Sequence, residues 1–323
     1  MDVVTAPADS ALDVSVIVCT RNRSGAITRL LEQLEHLVVP AGLRWELIVV
    51  DNASTDDTAS MLASHRTSLP MHVVHENVPG LSRARNTGIA AARGDLLLFT
   101  DDDCLPDAHW LATIHDEFAR SPSLGVLGGR VELFDLRDRP TTTRTSRERG
   151  EISAAFNLDG IIGCNLSFRR SALALTGPFD VGLGGGTGAG AGEDVDFVYR
   201  SLRAGLRVEY SPDALVYHNH GRRTDAQVRA LNRAYTVARG ALFCKYVMAG
   251  DRGILPRIRH DLQYQARVLS ADVRAGRFPA RVMRHYYHLG IGAVYWVRHR
   301  LTERRRPGEA DTNGDGGSAR CAR

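Results

Sequence analysis

The run Phe99-Thr100-Asp101-Asp102-Asp103 closes the strongly apolar stretch Leu96-Leu97-Leu98-Phe99. Three adjacent carboxylates repel one another, so a fold that gathers them at the end of a buried strand calls for a cation or a donor-rich ligand there. A divalent metal carrying a diphosphate meets that need. Mg2+ or Mn2+ takes one or two protein carboxylates and fills its other positions with water and phosphate oxygens. On the triplet alone a plainer reading stays open, a solvated turn or the cap of the next helix. Further along, Gly182 to Gly192 holds seven glycines and leads into Glu193-Asp194. Glycine reaches backbone angles closed to other residues, so this segment can rearrange, or it is a plain flexible loop. Its two carboxylates head a stretch with Val195, Val198 and Leu202 at helical spacing, where the helix dipole alone would favour acidic groups. His218, beside Asn219 and His220, is either a ligand or a hydrogen-bonded structural residue.

These groups need elements to position them. Val14 to Cys19 is a short β-branched run ending at Thr20-Arg21-Asn22-Arg23, and Ile27, Leu30, Leu31, Leu34 and Leu37 then share a helical face. The pattern recurs: Glu46 to Val50 ends at Asp51-Asn52-Ala53-Ser54, with Ser54 or Thr55 as the expected cap of a helix through Met61 and Leu62. Met71 to Val74 leads into an Ala-rich helix from Leu81 to Ala92 that Gly94 is expected to close, and Asp95 to Thr100 is the fourth strand. Apolar strands alternating with amphipathic helices predict a parallel sheet covered on both faces. Ligands bind beyond the carboxyl ends of such strands, and Thr20-Arg21-Asn22, Asp51-Asn52 and the Asp triplet all fall there. No GxGxxG follows the first strand, which argues against a dinucleotide-dependent hydride transfer. A helix is expected to reach Arg120, a strand to cover Leu124 to Val131, a mobile loop to cover 135–151, and a strand entering a helix to cover Gly163 to Arg170.

The chain has 323 residues, 43% apolar and 24% charged, the composition of an ordinary globular protein of one large domain plus an appendage or of two domains. Its start is acidic and polar, and no run approaches the roughly 18 to 20 apolar residues that span a bilayer, so a cytoplasmic protein is expected. Five scattered cysteines, none in a CxxC pair, argue against a disulfide framework and against a zinc site. Residues 222–306 carry nineteen Lys/Arg against five Asp/Glu, a net +14, which leaves −10 on the rest of a chain whose total is +4.

With these segments assembled, the chain resembles the family 2 glycosyltransferases, inverting enzymes on the nucleotide-sugar-binding fold called GT-A. The resemblance rests on Val14 to Arg23, Leu47 to Asp56, Arg83 to Ile89, Gly94-Asp95, Thr100 to Asp103, Gly163 to Arg170, Gly192-Glu193-Asp194 and Tyr217-His218, in order across about residues 12 to 221. It implies a Rossmann-like mixed sheet with helices on both faces, and a metal-dependent, hexosyltransferase-like transfer of sugar from a nucleotide-diphosphate donor to a hydroxyl acceptor. Cell-envelope polysaccharide, glycolipid or natural-product glycosylation would be the setting. By the same resemblance the nucleoside base lies near Cys19, Thr20 and Arg21, with Asp51 accepting its hydrogen bonds and Arg85 near base or diphosphate. Arg21 stands where many relatives have tyrosine. Asp101 and Asp102 would hold ribose hydroxyls and metal waters. Asp103, with Asp101 and His218, would ligate Mn2+ or Mg2+, His220 being the lesser candidate. Asp194 would be the general base and Glu193 its orienting partner. A nucleotidyltransferase is the alternative enzyme class, for which Thr20-Arg21-Asn22-Arg23-Ser24-Gly25 is a poor phosphate loop. A non-catalytic nucleotide-sugar-binding protein would not need both acidic groups.

The expected organisation is a disordered tail at 1–11, a catalytic domain at 12–221, a basic helical extension at 222–306 and a second disordered tail at 307–323. In the extension Val228, Leu231, Ala234, Tyr235, Ala238 and Leu242 recur at helical spacing, and 283–298 is rich in aromatics flanked by arginine. Two readings stay open. These helices lie on an anionic membrane surface that presents a lipid-linked acceptor, or they cap the catalytic domain with their arginines solvated. No nucleic-acid-binding module accompanies the charge.

Overall fold

The computed structural model describes residues 12–155 and 157–304, so the two expected tails lie outside the described residues. In chain order the elements are β1 (Leu12–Thr20), α1 (Ser24–Leu34), β2 (Trp45–Asn52), α2 (Thr58–Ser64), β3 (Met71–Glu76), α3 (Leu81–Ala91), β4 (Gly94–Asp101), β5 (Cys104–Pro106) and α4 (Trp110–Arg120). Then come β6 (Leu124–Leu133), β7 (Gly150–Glu151), β8 (Leu166–Arg169), α5 (Leu173–Thr176), α6 (Glu193–Arg203), β9 (Arg207–His218), α7 (Asp225–Met248), α8 (Leu255–Arg274) and α9 (Ala280–Arg304).

The sheet runs β3-β2-β1-β4-β8-β6-β9-β5, with β7 pairing β9. The first four strands are parallel, as their alternation with helices predicts. Beyond them the sheet is mixed: β8 lies antiparallel to both β4 and β6, while β6 and β9 are parallel. Among the described residues no α-helix separates β6 from β8, and a strand that returns without a crossover helix joins antiparallel. Both faces of the sheet are buried. Val14, Val16 and Val18 of β1 pack with Ile27, Leu30, Leu31 and Leu34 of α1 and Trp110, Ile114 and Phe118 of α4. Ile17 points to the opposite core, with Ala84 and Ile89 of α3, the stacked rings of Phe99 and Phe168, and Phe179 and Phe197. That second core also takes Ala241, Leu242, Phe243 and Tyr246 of α7 and Trp296 of α9. The C-terminal helices are therefore seated on the same apolar layer as the sheet.

Three local expectations change. Helix α2 starts at Thr58, because Ser54 and Thr55 are engaged elsewhere: Asn22 N–H donates to Ser54 Oγ (3.0 Å) and Thr55 N–H to Asn22 Oδ1 (2.7 Å). Gly94 opens β4 and does not close α3. A Cβ there would stand 2.4 Å from the Val14 carbonyl carbon, so the residue is needed for strand contact. Segment 135–151 is pinned by charge: Asp135 accepts from Arg223 at 2.7 Å, and buried Asp138 accepts from Arg223 Nε at 3.1 Å and from Gly221 N–H at 2.8 Å. Helix α7 begins at a reciprocal capping box formed by Thr224 and Gln227.

Candidate active site

The carboxyl ends of β1 and β4 and the start of α6 open onto one cavity of about 650 Å³. Its wall includes Cys19, Thr20, Arg21, Arg23, Arg85, Asp101, Asp102, Asp103, Glu193, Asp194 and His218. Ten of the eleven residues singled out from the sequence thus meet in one place. Asp51 is the exception. It is buried at the end of β2, accepts from Ser54 N–H at 3.2 Å and faces His75 Nδ1 at 3.4 Å, while its neighbour Asn52 lines the cavity. Arg21 is exposed at the rim.

The Asp triplet fans out to three partners. Asp101 accepts from Arg85 Nη2 at 3.3 Å. Asp102 accepts from Thr20 Oγ1 and from Arg23 Nη1, both at 2.8 Å. Asp103 takes the same Arg23 Nη1 on one oxygen at 2.9 Å and faces His218 Nε2 with the other at 3.3 Å. The mutual repulsion that predicted a cation is thus partly met by two arginines of the chain itself. Arg23 carries no obvious signal beyond its place in the loop after β1, which is why residue types alone did not single it out. Burial raises the carboxyl of Asp102 to about 6, with Asp103 adding to it and Arg23 opposing. Burial also works against the Asp103 carboxylate, yet the His218 hydrogen bond and charge and the Arg23 guanidinium hold it down to about 2. His218 rises to about 9 in spite of its burial, under the influence of Cys164 and Asp103.

His218 reaches this position through strand register. Short β5 follows the triplet and pairs antiparallel with the end of β9, Cys104 opposite His218. His220 turns away: its Nδ1 accepts from Arg222 N–H at 3.0 Å and lies 3.5 Å from Asp138. The residues fit a divalent ion. A carboxylate oxygen and an imidazole nitrogen converge at the cavity wall, and His218 Nδ1 sits 3.4 Å from the Thr142 carbonyl, so an imidazole that gives up its Nε2 proton to a cation can keep its N–H on that carbonyl.

Across the cavity, Glu193 and Asp194 form the first turn of α6. Glu193 is buried and holds Arg85 Nη1 at 2.7 Å, and Arg85 is only 2% exposed. Asp194 is half-buried and accepts from the backbone N–H groups of Gly163 (2.9 Å) and Val195 (2.8 Å). Gly163 permits that approach, since a Cβ would lie 3.0 Å from Asp194 Oδ2 and 2.9 Å from Arg85 Nη2. Burial and the charge of Asp194 lift Glu193 to about 7 against the pull of Arg85. Asp194 is also raised by burial, with Arg85 and the two backbone donors opposing. A carboxylate kept near neutrality in a cleft has the properties of a general base.

The far wall comes from the extension: Leu231, Tyr235, Ala238 and Leu242 share one face of α7, with Arg239 and Arg257 beyond them. Arg239 and Arg257 both pair with Asp159. These lining residues had a helical pattern in the sequence but no chemical signature.

The chain resembles known proteins on both counts, sequence and fold. It is 29% identical over 218 residues to the pre-mycofactocin glycosyltransferase of Mycobacterium tuberculosis, a match covering 64% of this chain and 43% of the relative; the chain therefore spans less than half of that protein's length. The mannosyltransferase PcManGT from Pyrobaculum calidifontis, solved with GDP-Man and Mn2+, superposes with a TM-score of 0.56 at 20% identity, covering 92% of this chain and 90% of that one. S. aureus TarS 1–349, solved with UDP-GlcNAc, gives 0.54 at 18% identity, covering 91% and 92%. At such identities these structures establish the GT-A type of fold. The sequence model of glycosyl transferase family 2 matches residues 15–176, half of the chain, from β1 through the Asp triplet to α5, and this chain belongs to that family.

Proposed function

We propose that the chain is an inverting, metal-dependent glycosyltransferase that moves a sugar from a nucleotide-diphosphate donor to a hydroxyl acceptor. One observation carries the reading: a half-buried Asp194, held by two backbone N–H groups, shares a cavity with the Asp101–Asp103 fan and His218. The donor's base sits at the Cys19-Thr20-Arg21 end, and Asp101 and Asp102 face its ribose and diphosphate. Asp51 then acts from behind the wall, through the loop after β2. Asp103 and His218, with Asp101 nearby, would hold Mn2+ or Mg2+. Such an ion, when bound, neutralises charge on the departing diphosphate. Asp194 takes the proton from the acceptor hydroxyl as that oxygen attacks the anomeric carbon. Glu193, locked on Arg85, keeps Asp194 and the guanidinium in place. A single displacement needs no enzyme nucleophile, so the anomeric centre inverts.

The acceptor enters from the α7 side. On α9, Met283, Tyr287, Val294, Val297 and Leu301 form an exposed apolar row flanked by exposed Arg284, Arg298 and Arg300. This row supports peripheral contact with an anionic membrane carrying a lipid-linked acceptor. Among the described residues no helix is long and apolar enough to cross a membrane. The test is a thermal-shift screen of nucleotide sugars with and without Mn2+. A donor that raises the melting temperature only with metal is expected, and no response to any donor at saturating concentration would refute the reading.

A further inference from the structure

Behind the Asp103–His218 pair lie two buried thiols that the transfer reaction does not use. Cys104 and Cys164 are 0% and 1% exposed, and their sulfurs and a His218 ring nitrogen all lie within 4.8 Å of one another. Register makes this cluster: Cys104 stands opposite His218 across the β5–β9 ladder, and Cys164 sits in the turn just before β8. Asp103 Oδ1 adds a fourth donor atom, 3.9 Å from Cys104 Sγ and 3.3 Å from His218 Nε2.

We propose that Cys104, Cys164, His218 and Asp103 form a binding site for a thiophilic divalent ion of the Zn2+ class. A tetrahedral ion with bonds of about 2.0–2.3 Å sets its ligand atoms about 3.3–3.8 Å apart. The Asp103–His218 distance of 3.3 Å already matches those edges, the 3.9 Å from Asp103 to Cys104 is slightly longer, and the separations among Cys104, Cys164 and His218, at most 4.8 Å, close by about 1 to 1.5 Å or less. The outer shell is also in place: the Thr142 carbonyl oxygen lies 3.4 Å from Nδ1 and turns Nε2 toward the site, and Arg23 holds the other Asp103 oxygen. Thiolate ligands select Zn2+ over Mg2+ or Mn2+, which favour oxygen. On binding, each thiol gives its proton to solvent and each sulfur donates one electron pair to the ion, with no change of oxidation state. Because Asp103 and His218 belong to both sets of ligands, a thiophilic ion here competes with the oxygen-loving ion of the transfer reaction.

The experiment uses the full chain stripped of metal and titrated with Co2+ as a spectroscopic probe. A thiolate-to-cobalt charge-transfer band is expected to saturate at one equivalent, to disappear on adding Zn2+ and to resist Mn2+. Cys104→Ser and Cys164→Ser should lose the band and weaken Zn2+ binding by more than the roughly 10- to 100-fold that loss of an outer-shell partner costs. Cys244→Ser should keep both. No band, or a band unchanged in Cys104→Ser and Cys164→Ser, overturns the proposal. In case those buried substitutions disturb folding, X-ray absorption of the Zn2+-loaded unaltered chain decides the same question: two sulfur neighbours at about 2.3 Å support the site, and nitrogen and oxygen neighbours alone refute it. Neither readout depends on sugar transfer.

Discussion

Arg85→Gln tests the electrostatic frame of the site most directly. Arg85 is 2% exposed and satisfies two carboxylates at once, Glu193 at 2.7 Å and Asp101 at 3.3 Å, with its guanidinium 5.4 Å from the Phe179 ring. Glutamine keeps some of the volume and none of the charge, so Glu193 is left buried beside Asp194 without a counterion. Breaking a buried ion pair from one side costs about 3–5 kcal/mol. That is a large share of the roughly 5–15 kcal/mol that holds a typical domain folded. The sign of the pH dependence follows from Glu193, which burial and Asp194 already lift to about 7 against Arg85. Without Arg85 it rises further. A carboxyl whose folded pKa lies above its unfolded value, about 4.3, leaves the fold unpenalised at low pH and weakens it increasingly as pH rises toward the folded value. The deficit of Arg85→Gln should therefore be small at pH 5 and clearly larger at pH 8, still growing toward the raised folded value. Urea unfolding at both pH values measures it, and Glu193→Gln added to Arg85→Gln should restore more than half of the loss. A deficit below about 1 kcal/mol at pH 8, one equal at both pH values, or no recovery in the double variant would refute the reasoning.

Asp194→Asn should lower kcat on the order of 10²- to 10⁴-fold while donor binding, followed by thermal shift, stays within a few-fold of the parent. Because burial raises the Asp194 carboxyl above the ordinary aspartate range, kcat/KM should fall on acidification at a pH above that range; a profile that falls only where an ordinary aspartate titrates would remove Asp194 as the base. Helices α7 and α9 cross in backbone contact at two glycines: a Cβ on Gly240 would lie 2.0 Å from Leu289 O, and one on Gly292 1.9 Å from Val237 O. Gly292→Val should cost about 1–3 kcal/mol or more in urea unfolding, whereas Gly290→Ala, where a Cβ meets nothing, should cost under about 1 kcal/mol.

Much of the fold is written in local patterns. The periodicities of 14–19, 27–37, 46–50 and 95–100 mark β1, α1, β2 and β4 within a residue or two at most ends, because burial on both sheet faces demands continuous apolar strands. The spacing of Val228, Leu231, Ala234, Tyr235, Ala238 and Leu242 marks α7 for the same local reason, and a four-residue capping box from Thr224 to Gln227 starts it. Ser54 and Thr55 misled for the converse reason. Their natural role as a cap was displaced by Asn22, thirty-odd residues away in sequence and adjacent only once β1 and β2 pair. Segment 135–151 looked mobile because its anchors, Arg223 and Gly221, lie some eighty residues downstream.

The sequence by itself determined which carboxylates stand at strand and helix ends, and so where an anionic, cation-seeking site had to form: polar residues that close apolar strands have nowhere else to go. Only the tertiary structure decided how the charges are shared. Strand register sets Cys104 against His218 and brings that imidazole to Asp103. Arg85 of α3 reaches Asp101 at the end of β4 and Glu193 at the head of α6, while Asp194 stays half-exposed on two backbone N–H groups. The chain's sole lysine, Lys245, ties α7 to α6 through Asp196, at 2.5 Å, and so fixes the wall that faces Asp194. Apart from Arg85 with Asp101, these pairings join residues 49 to 115 positions apart in the chain, and no local spacing encodes a distance that exists only after the sheet has closed.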